Sequence, residues 1–162
     1  MFSNGFANFI AWIYQITIKV GENFQSIFLL LMRLTWGAQF LIAGLGKFAD
    51  LTKVADIFSN LSIPFPVFSA FLVAFFEAVG GAFLIVGFAS RLICLPLMVI
   101  MFTAYSTAHS HIFKDFSFIA NPSLLVNEAP FPFLLTVLIV FVFGPGRVSI
   151  DAIIKRKLNE RF

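Results

Sequence analysis

Charged side chains are scarce in this sequence of 162 residues, and that scarcity is its first informative property. They make up 12% of the chain, whereas 60% of the residues are hydrophobic. Soluble domains carry about 25% charged and about 45–50% apolar residues, so the composition excludes an ordinary soluble protein. It predicts an integral membrane protein. The length supplies four spans of roughly 20 residues and leaves no room for a separate soluble catalytic domain.

Cysteine and the common catalytic motifs are also nearly absent. Cys94 is the only cysteine, which excludes an intrachain disulfide, a thiol relay and a cysteine-based metal cage built from this chain alone. The sequence contains no phosphate-binding glycine loop, no HExxH and no CxxC, and it has no haem, flavin or nucleotide motif. A net charge of +3 is too small and too scattered to predict a nucleic-acid partner. Whether the chain is itself catalytic stays open.

The apolar runs predict an all-α fold, namely an integral membrane four-helix bundle with short amphipathic surface helices. The predicted spans are residues 26–46, 65–88, 91–111 and 131–147. The predicted amphipathic helices are residues 2–20, 50–60 and 149–160, the last capped by Ser149. Residues 112–130 are expected to form an ordered external loop. The N-terminus lacks a basic start and a small-residue cleavage site, so we expect it to be retained.

The distribution of basic residues predicts the orientation of the bundle in the membrane. Four spans place both termini on one side. The basic residues predicted on that side are Lys19, Arg91, Arg147, Lys155, Arg156, Lys157 and Arg161. Those predicted on the other side are Lys47, Lys53 and Lys114. The positive-inside rule therefore places both termini in the cytoplasm.

Two charged residues, Arg33 and Glu77, fall inside predicted spans. An arginine near the bilayer centre costs at least about 2.5 kcal/mol, so intramembrane charges are normally paired and face the bundle interior. The two depths differ by about 6 Å, which the long arginine side chain can cover. We therefore expect an Arg33–Glu77 ion pair. It either fixes the helix register or lines a polar pocket for a substrate, a quinone head group or a proton; alternatively, Arg33 reaches the surface alone.

Small residues predict close contact between the first two spans. Gly37 and Gly44 share one face of the first span with Arg33 and Lys47. The second span carries a row of alanines at every fourth position, namely Ala70, Ala74, Ala78 and Ala82. Such rows let helix backbones approach closely in lipid.

Three groups of candidate site residues lie on or near the third span. Cys94, Met98 and Met101 form a stripe of soft ligands that copper(I) favours, although ordinary packing explains the same residues and is what we expect. Near the external face, Lys47, Tyr105, His109 and His111 are expected to cluster. They form either a ligand site or a set of interfacial residues satisfied by water and backbone. Arg91, at the cytoplasmic turn, is the third candidate.

Four stretches carry an ordered set of motifs. They are "RLTWGAQFLIAGLGKF" (33–48), "IPFP" (63–66), "EAVGGAFLIVGFASRL" (77–92) and "FGPGRVSID" (143–151). Together they resemble the DoxX family of small four-helix bacterial inner-membrane proteins. The arginine of span one, the glutamate of span two and the arginine after span two that characterise the family match Arg33, Glu77 and Arg91. The loop with Asn121, Glu128 and two histidines is similar to that of members found beside small secreted metal-handling peptides.

The resemblance implies a link to membrane redox systems, such as thiosulfate:quinone oxidoreductase subunits, complexes with superoxide dismutase, and responses to quinones or thiols. It favours a subunit or accessory that binds a quinone, thiol or sulfur compound between its helices. One alternative is a non-enzymatic assembly or anchoring factor, and another is small-molecule or copper handling. The expected partners are the lipid bilayer and either a partner protein or further copies of the chain.

Overall fold

A computed structural model describes residues 3–114 and 121–160 of the chain. Over these residues the chain is helical, with seven α-helices, one 3-10 helix and no strand. The α-helices are α1 (Ser3–Ala49), α2 (Leu51–Asn60), α3 (Pro66–Val86), α4 (Ser90–Thr107), α5 (Ser123–Val126), α6 (Pro130–Phe143) and α7 (Ile150–Asn159). The 3-10 helix is Ser110–Lys114. The predicted all-α fold class is confirmed.

Four of these helices form the bundle. The second half of α1 packs against α3 and α6, and α4 packs against the same two helices, so the four helices close into a ring. By length and composition, α1, α3 and α4 can each cross a membrane. The apolar helix α6 has 14 residues and is about 21 Å long, shorter than the roughly 30 Å hydrocarbon core. The bundle matches the predicted membrane architecture.

The two ends of the bundle differ in their surroundings. One end, which we call the α2 end, contains the last turn of α1, the helix α2 and the start of α3. The opposite end, the α7 end, contains the turn between α3 and α4, the end of α6 and the helix α7. Asp151, in the first turn of α7, joins this helix to the start of α4. Its carboxylate accepts hydrogen bonds from the Ala89 and Ser90 amides at 2.8 and 2.9 Å. This carboxylate satisfies amides at the N-terminus of α4.

Glycines bring α1 and α3 into backbone contact. A Cβ atom added at Gly44 would lie 2.3 Å from the Ala78 nitrogen, and one at Gly81 would lie 2.4 Å from the Leu41 nitrogen. Ala70, Ala74 and Ala78 of the alanine row are buried as well. The predicted close contact between these spans is therefore confirmed, and it sets their antiparallel register.

The first helix differs from its prediction. The amphipathic segment predicted at residues 2–20 and the span predicted at 26–46 form one continuous helix, α1, of 47 residues. Gly21 is an isolated glycine with open space around it, and no proline interrupts the segment, so nothing stops helix propagation. Residues 7–25 are exposed, although residues 22–25 still lie beside the α7 end of the bundle.

The predicted surface helices are present after the first and fourth bundle helices. The predicted segment 50–60 corresponds to α2, where the Asp50 side chain accepts a hydrogen bond from the Lys53 amide. The predicted segment 149–160 corresponds to α7, and the predicted cap is confirmed because Ser149 Oγ accepts a hydrogen bond from the Ala152 amide. Of the predicted external loop, residues 115–120 lie outside the described part of the chain, as does Arg161.

Candidate functional site

An ion pair inside the bundle joins α1 to α3. Lys47 lies in the last turn of α1, and its Nζ atom donates to Oε2 of Glu77. Glu77 is 4% exposed, whereas the side chain of Lys47 is 28% exposed. A buried carboxylate requires such a partner because the membrane interior does not solvate a charge. The partner of Glu77 is therefore Lys47, near the C-terminal end of the stretch 33–48 that begins with Arg33.

The predicted Arg33–Glu77 ion pair is wrong. That prediction takes residue 26 as the cytoplasmic end of the first span, but α1 already begins at Ser3, so residue 26 does not mark a helix end. The register of α1 against α3 decides the partners instead. A Cβ atom at Gly87 would lie 2.8 Å from Nη2 of Arg33, so Arg33 lies opposite Gly87. Glu77 is about 15 Å away along α3.

Backbone carbonyls, rather than a carboxylate, hold the Arg33 guanidinium. Nε and Nη2 donate to the carbonyls of Leu84 and Ile85 at 2.8 and 3.1 Å, near the end of α3. Nη1 donates to the carbonyls of Pro145 and Val148 in the segment before α7. The side chain is 1% exposed, so the alternative in which Arg33 reaches the surface alone is also wrong. Arg33 ties α1 to the C-terminus of α3, where the helix dipole favours a cation.

An apolar cavity of about 560 Å³ lies beside the Lys47–Glu77 pair, between α2, α3 and α4. Its polar wall residues besides the pair are Ser69, Thr103 and Thr107. Their hydroxyls donate to carbonyls in or next to their own helices. Lys47 and Glu77 are the charged residues of the wall. The apolar wall residues are Ile57, Phe58, Leu61, Ile63, Leu72, Val73, Phe76, Pro96, Val99, Ile100, Met101, Ala104 and Ala108.

A second polar group lies at the α2 end and is centred on Glu128. Nδ1 of His109 lies 2.6 Å from one Glu128 oxygen, and Nε2 of His111 lies 3.2 Å from the other. The Tyr105 ring lies edge-on to His109, and its hydroxyl donates to a backbone carbonyl. Tyr105, His109 and His111 thus lie together, whereas the Lys47 ammonium is bound to Glu77 and not to Glu128.

The remaining candidates of α4 have structural surroundings. Cys94 and Met101 belong to the buried hydrophobic cluster, and Met98 packs against it, which agrees with the packing interpretation. Within residues 3–114 and 121–160, no three His, Cys, Asp or Glu side chains are placed to hold a metal ion. Nη2 of Arg91 donates to the Val142 carbonyl at 3.2 Å and so links the start of α4 to the end of α6.

A comparison with protein-family models identifies the family of this chain. The model of one family, described as DoxX, matches residues 28–110, just over half of the chain. The chain belongs to the DoxX family. The matched part of this DoxX protein contains Arg33, the Lys47–Glu77 pair and every wall residue of the cavity, whereas Glu128 and α7 lie beyond it. Comparisons with curated proteins and with solved structures give no match.

Two contacts among the candidate residues were not predicted from the sequence. The Lys47–Glu77 pair could have been found by setting Gly44 against the alanine row, because that register brings the last turn of α1 level with Glu77. The contact of both histidines with Glu128 had no local signal. Sequence separations of 19 and 17 residues carry no helical spacing that would align these side chains.

Proposed function

We propose that this DoxX protein binds a small apolar molecule with a hydrogen-bonding head, of the quinone class, in the cavity between α2, α3 and α4. In this proposal the protein serves as a subunit or accessory of a membrane redox system. The observation that carries the proposal is the buried ion pair in the wall of an otherwise apolar cavity.

The size and lining of the cavity fit such a ligand. Small-molecule sites commonly have volumes of about 300–1,000 Å³, apolar walls and a few polar groups that orient the ligand. The cavity has about 560 Å³ and is lined mainly by aliphatic and aromatic side chains. Burial of a ring and a short isoprenoid tail against these walls would supply the affinity. The ion pair would supply the orientation.

The Lys47–Glu77 pair can bind both oxidation states of a quinone. The Lys47 ammonium has three donors, one of which is used by Glu77, so another can donate to a quinone carbonyl oxygen. The Glu77 carboxylate can accept a hydrogen bond from the hydroxyl of the reduced form. Electrons would come from a partner redox protein, since the sequence contains no flavin, haem or nucleotide motif.

The proposal is tested with the full chain in a neutral detergent. Binding of a short-tailed benzoquinone and of a short-tailed naphthoquinone is measured by equilibrium dialysis. Ala104→Phe fills the cavity and is expected to weaken binding at least tenfold, and Glu77→Gln is expected to weaken it because the polar head loses its orientation. Ser106→Phe is the matched control because Ser106 is exposed on the same helix, outside the cavity wall. Equal binding by Ala104→Phe and wild type contradicts the proposal.

We also propose an anchoring role, which a different observation favours. Residues 7–20 of α1 are exposed and include large apolar side chains such as Phe9, Trp12 and Tyr14. Such a surface fits another membrane protein or a second copy of the chain. A photo-crosslinking residue at Ile13 is expected to give a protein adduct in membranes, and one at Leu45 serves as the control. Adducts with lipid alone contradict this role.

The orientation and the location are part of the proposal. Basic residues gathered at the α7 end, including Arg91, Arg147 and Lys155, support an inner-membrane protein with both termini in the cytoplasm. Reporter domains fused after α7 and inserted in the 121–129 segment test this orientation. A cytoplasmic signal is expected from the first fusion and a periplasmic signal from the second. The reverse pattern contradicts it.

A further inference from the structure

We propose that the α7 end contains a specific site for an anionic phospholipid, with its phosphate in a cationic pocket and one acyl chain in an adjoining apolar groove. The pocket has a volume of about 720 Å³ and is lined by α1, the starts of α4 and α7, the end of α6 and the turn that follows α6. The groove has a volume of about 640 Å³ and runs between α1 and α6. This site is separate from the cavity at the α2 end.

Three cationic side chains are part of the pocket wall. Arg91, Arg147 and Lys155 line it from three different elements. Two carboxylates, Glu22 and Asp151, line it as well. Asp151 already accepts hydrogen bonds from two backbone amides, so part of its charge is compensated. The cations exceed the carboxylates in number, and the pocket is electrostatically suited to an anion.

The groove supplies the second half of a lipid site. Of the residues that line it, Gln25 is the polar member, and the others are leucine, isoleucine and phenylalanine. Gln25, Leu29 and Phe143 line the groove and the cationic pocket alike, so the two volumes adjoin. A polar site that opens into an apolar groove matches a molecule with a charged head and a hydrocarbon chain. Free phosphate would leave the groove without an occupant.

Two glycines shape the turn after α6 that borders the pocket. Gly144 and Gly146 have φ values of +80° and +83°, which residues other than glycine rarely adopt. A Cβ atom at Gly144 would lie 3.5 Å from the Arg91 guanidinium, and one at Gly146 would lie 3.4 Å from Leu29. The backbone of this turn therefore lies against both the cation and the apolar wall. Arg33 fixes the same turn from behind through the Pro145 carbonyl.

The test measures lipid binding to the full chain in a neutral detergent by native mass spectrometry. The probes are a short-chain phosphatidylglycerol, the matching phosphatidylcholine, glycerol phosphate without acyl chains, and inorganic phosphate. We expect saturable binding of one phosphatidylglycerol per chain and at least tenfold weaker binding of the other three probes. Inorganic phosphate or glycerol phosphate bound as tightly as the lipid would overturn the proposal, as would equal binding of the two lipids.

Two pairs of variants separate a site from general attraction to positive charge. Arg147→Gln with Lys155→Gln should weaken phosphatidylglycerol binding by more than tenfold, at about fivefold per cation. Arg156→Gln with Lys157→Gln removes the same charge from α7 outside the pocket and should change binding less than twofold. Equal losses in the two pairs refute a specific site.

A third comparison tests the groove without changing any charge. Ile139→Trp fills the groove, and Leu138→Trp places the same bulk on a neighbouring position that does not line it. The first variant should lose at least fivefold in lipid affinity, and the second should keep the wild-type value. Wild-type affinity in Ile139→Trp would show that the acyl chain lies elsewhere, and the proposal would fail.

Discussion

Replacing Lys47 with methionine should destabilise the bundle far more than replacing Glu77. The substitution keeps most of the apolar stem of Lys47 but leaves the Glu77 carboxylate, which is 4% exposed, without its ion-pair partner. Breaking a buried pair from one side costs about 3–5 kcal/mol. For a chain of this size, 3 kcal/mol lowers the midpoint of thermal unfolding by roughly 6–12 °C. Glu77→Gln should cost only about 1 kcal/mol, because Lys47, with its side chain 28% exposed, can extend towards water.

The double variant Lys47→Met/Glu77→Gln provides the decisive comparison. It removes both charges, so its stability should return to within about 1 kcal/mol of the wild type. Circular dichroism during heating in one detergent gives the midpoints of all variants. Lys53→Met is the matched control. It removes the same charge as Lys47→Met, but from an exposed side chain on α2. A double variant whose loss equals the sum of the single losses would refute the reasoning, because independent sites add.

Three further substitutions test the contacts that position the site. Gly44→Ala should lower the free energy of unfolding by about 1–3 kcal/mol, because the new Cβ atom would lie 2.3 Å from the α3 backbone. Gly46 has open space around it, so the control Gly46→Ala should leave the stability in thermal unfolding unchanged or slightly raised. Arg33→Lys should lower the free energy of unfolding by about 1.5–3 kcal/mol, because an ammonium cannot donate to the four carbonyls that the planar guanidinium binds. An unchanged midpoint of thermal unfolding would contradict the assigned hydrogen bonds. Asp151→Ala should lower the free energy of unfolding by about 0.5–2 kcal/mol, because the amides at the start of α4 lose their acceptor. Proteolysis of α7 should also be faster in this variant, and a rate equal to that of the wild type would argue against the docking of α7.

The close contact of α1 and α3 was predictable because it depends on residue size at helical spacing. Gly37, Gly44 and the alanine row are visible in the sequence, and only small residues permit backbone contact. The cap of α7 was predictable because it is local, since Ser149 accepts a hydrogen bond from the amide three residues later. The length of α1 was not predictable from amphipathicity alone, because a change of helix face does not by itself end a helix.

The partners of the charged residues could not be derived in the same way. Arg33 and Glu77 were both recognised as intramembrane charges, and the expectation that each needs a partner was sound. Which partner each has depends on how far α3 is displaced along α1, and that displacement follows from the packing of the whole helix pair. A backbone carbonyl cannot be predicted as the acceptor from the sequence, since every residue has one. The four carbonyls around Arg33 come from two segments that meet only in the folded chain.

The sequence by itself determined that this protein is an all-helical membrane bundle of the DoxX class, because composition, span length and motif order are properties of the chain. It also determined which side chains are too costly to leave unpaired in lipid. The tertiary structure alone decided that Lys47 binds Glu77, that this pair borders an apolar cavity, and that a cationic pocket adjoins a groove at the opposite end. These features depend on the register between helices, which is set by packing summed over the whole interface rather than by any local pattern.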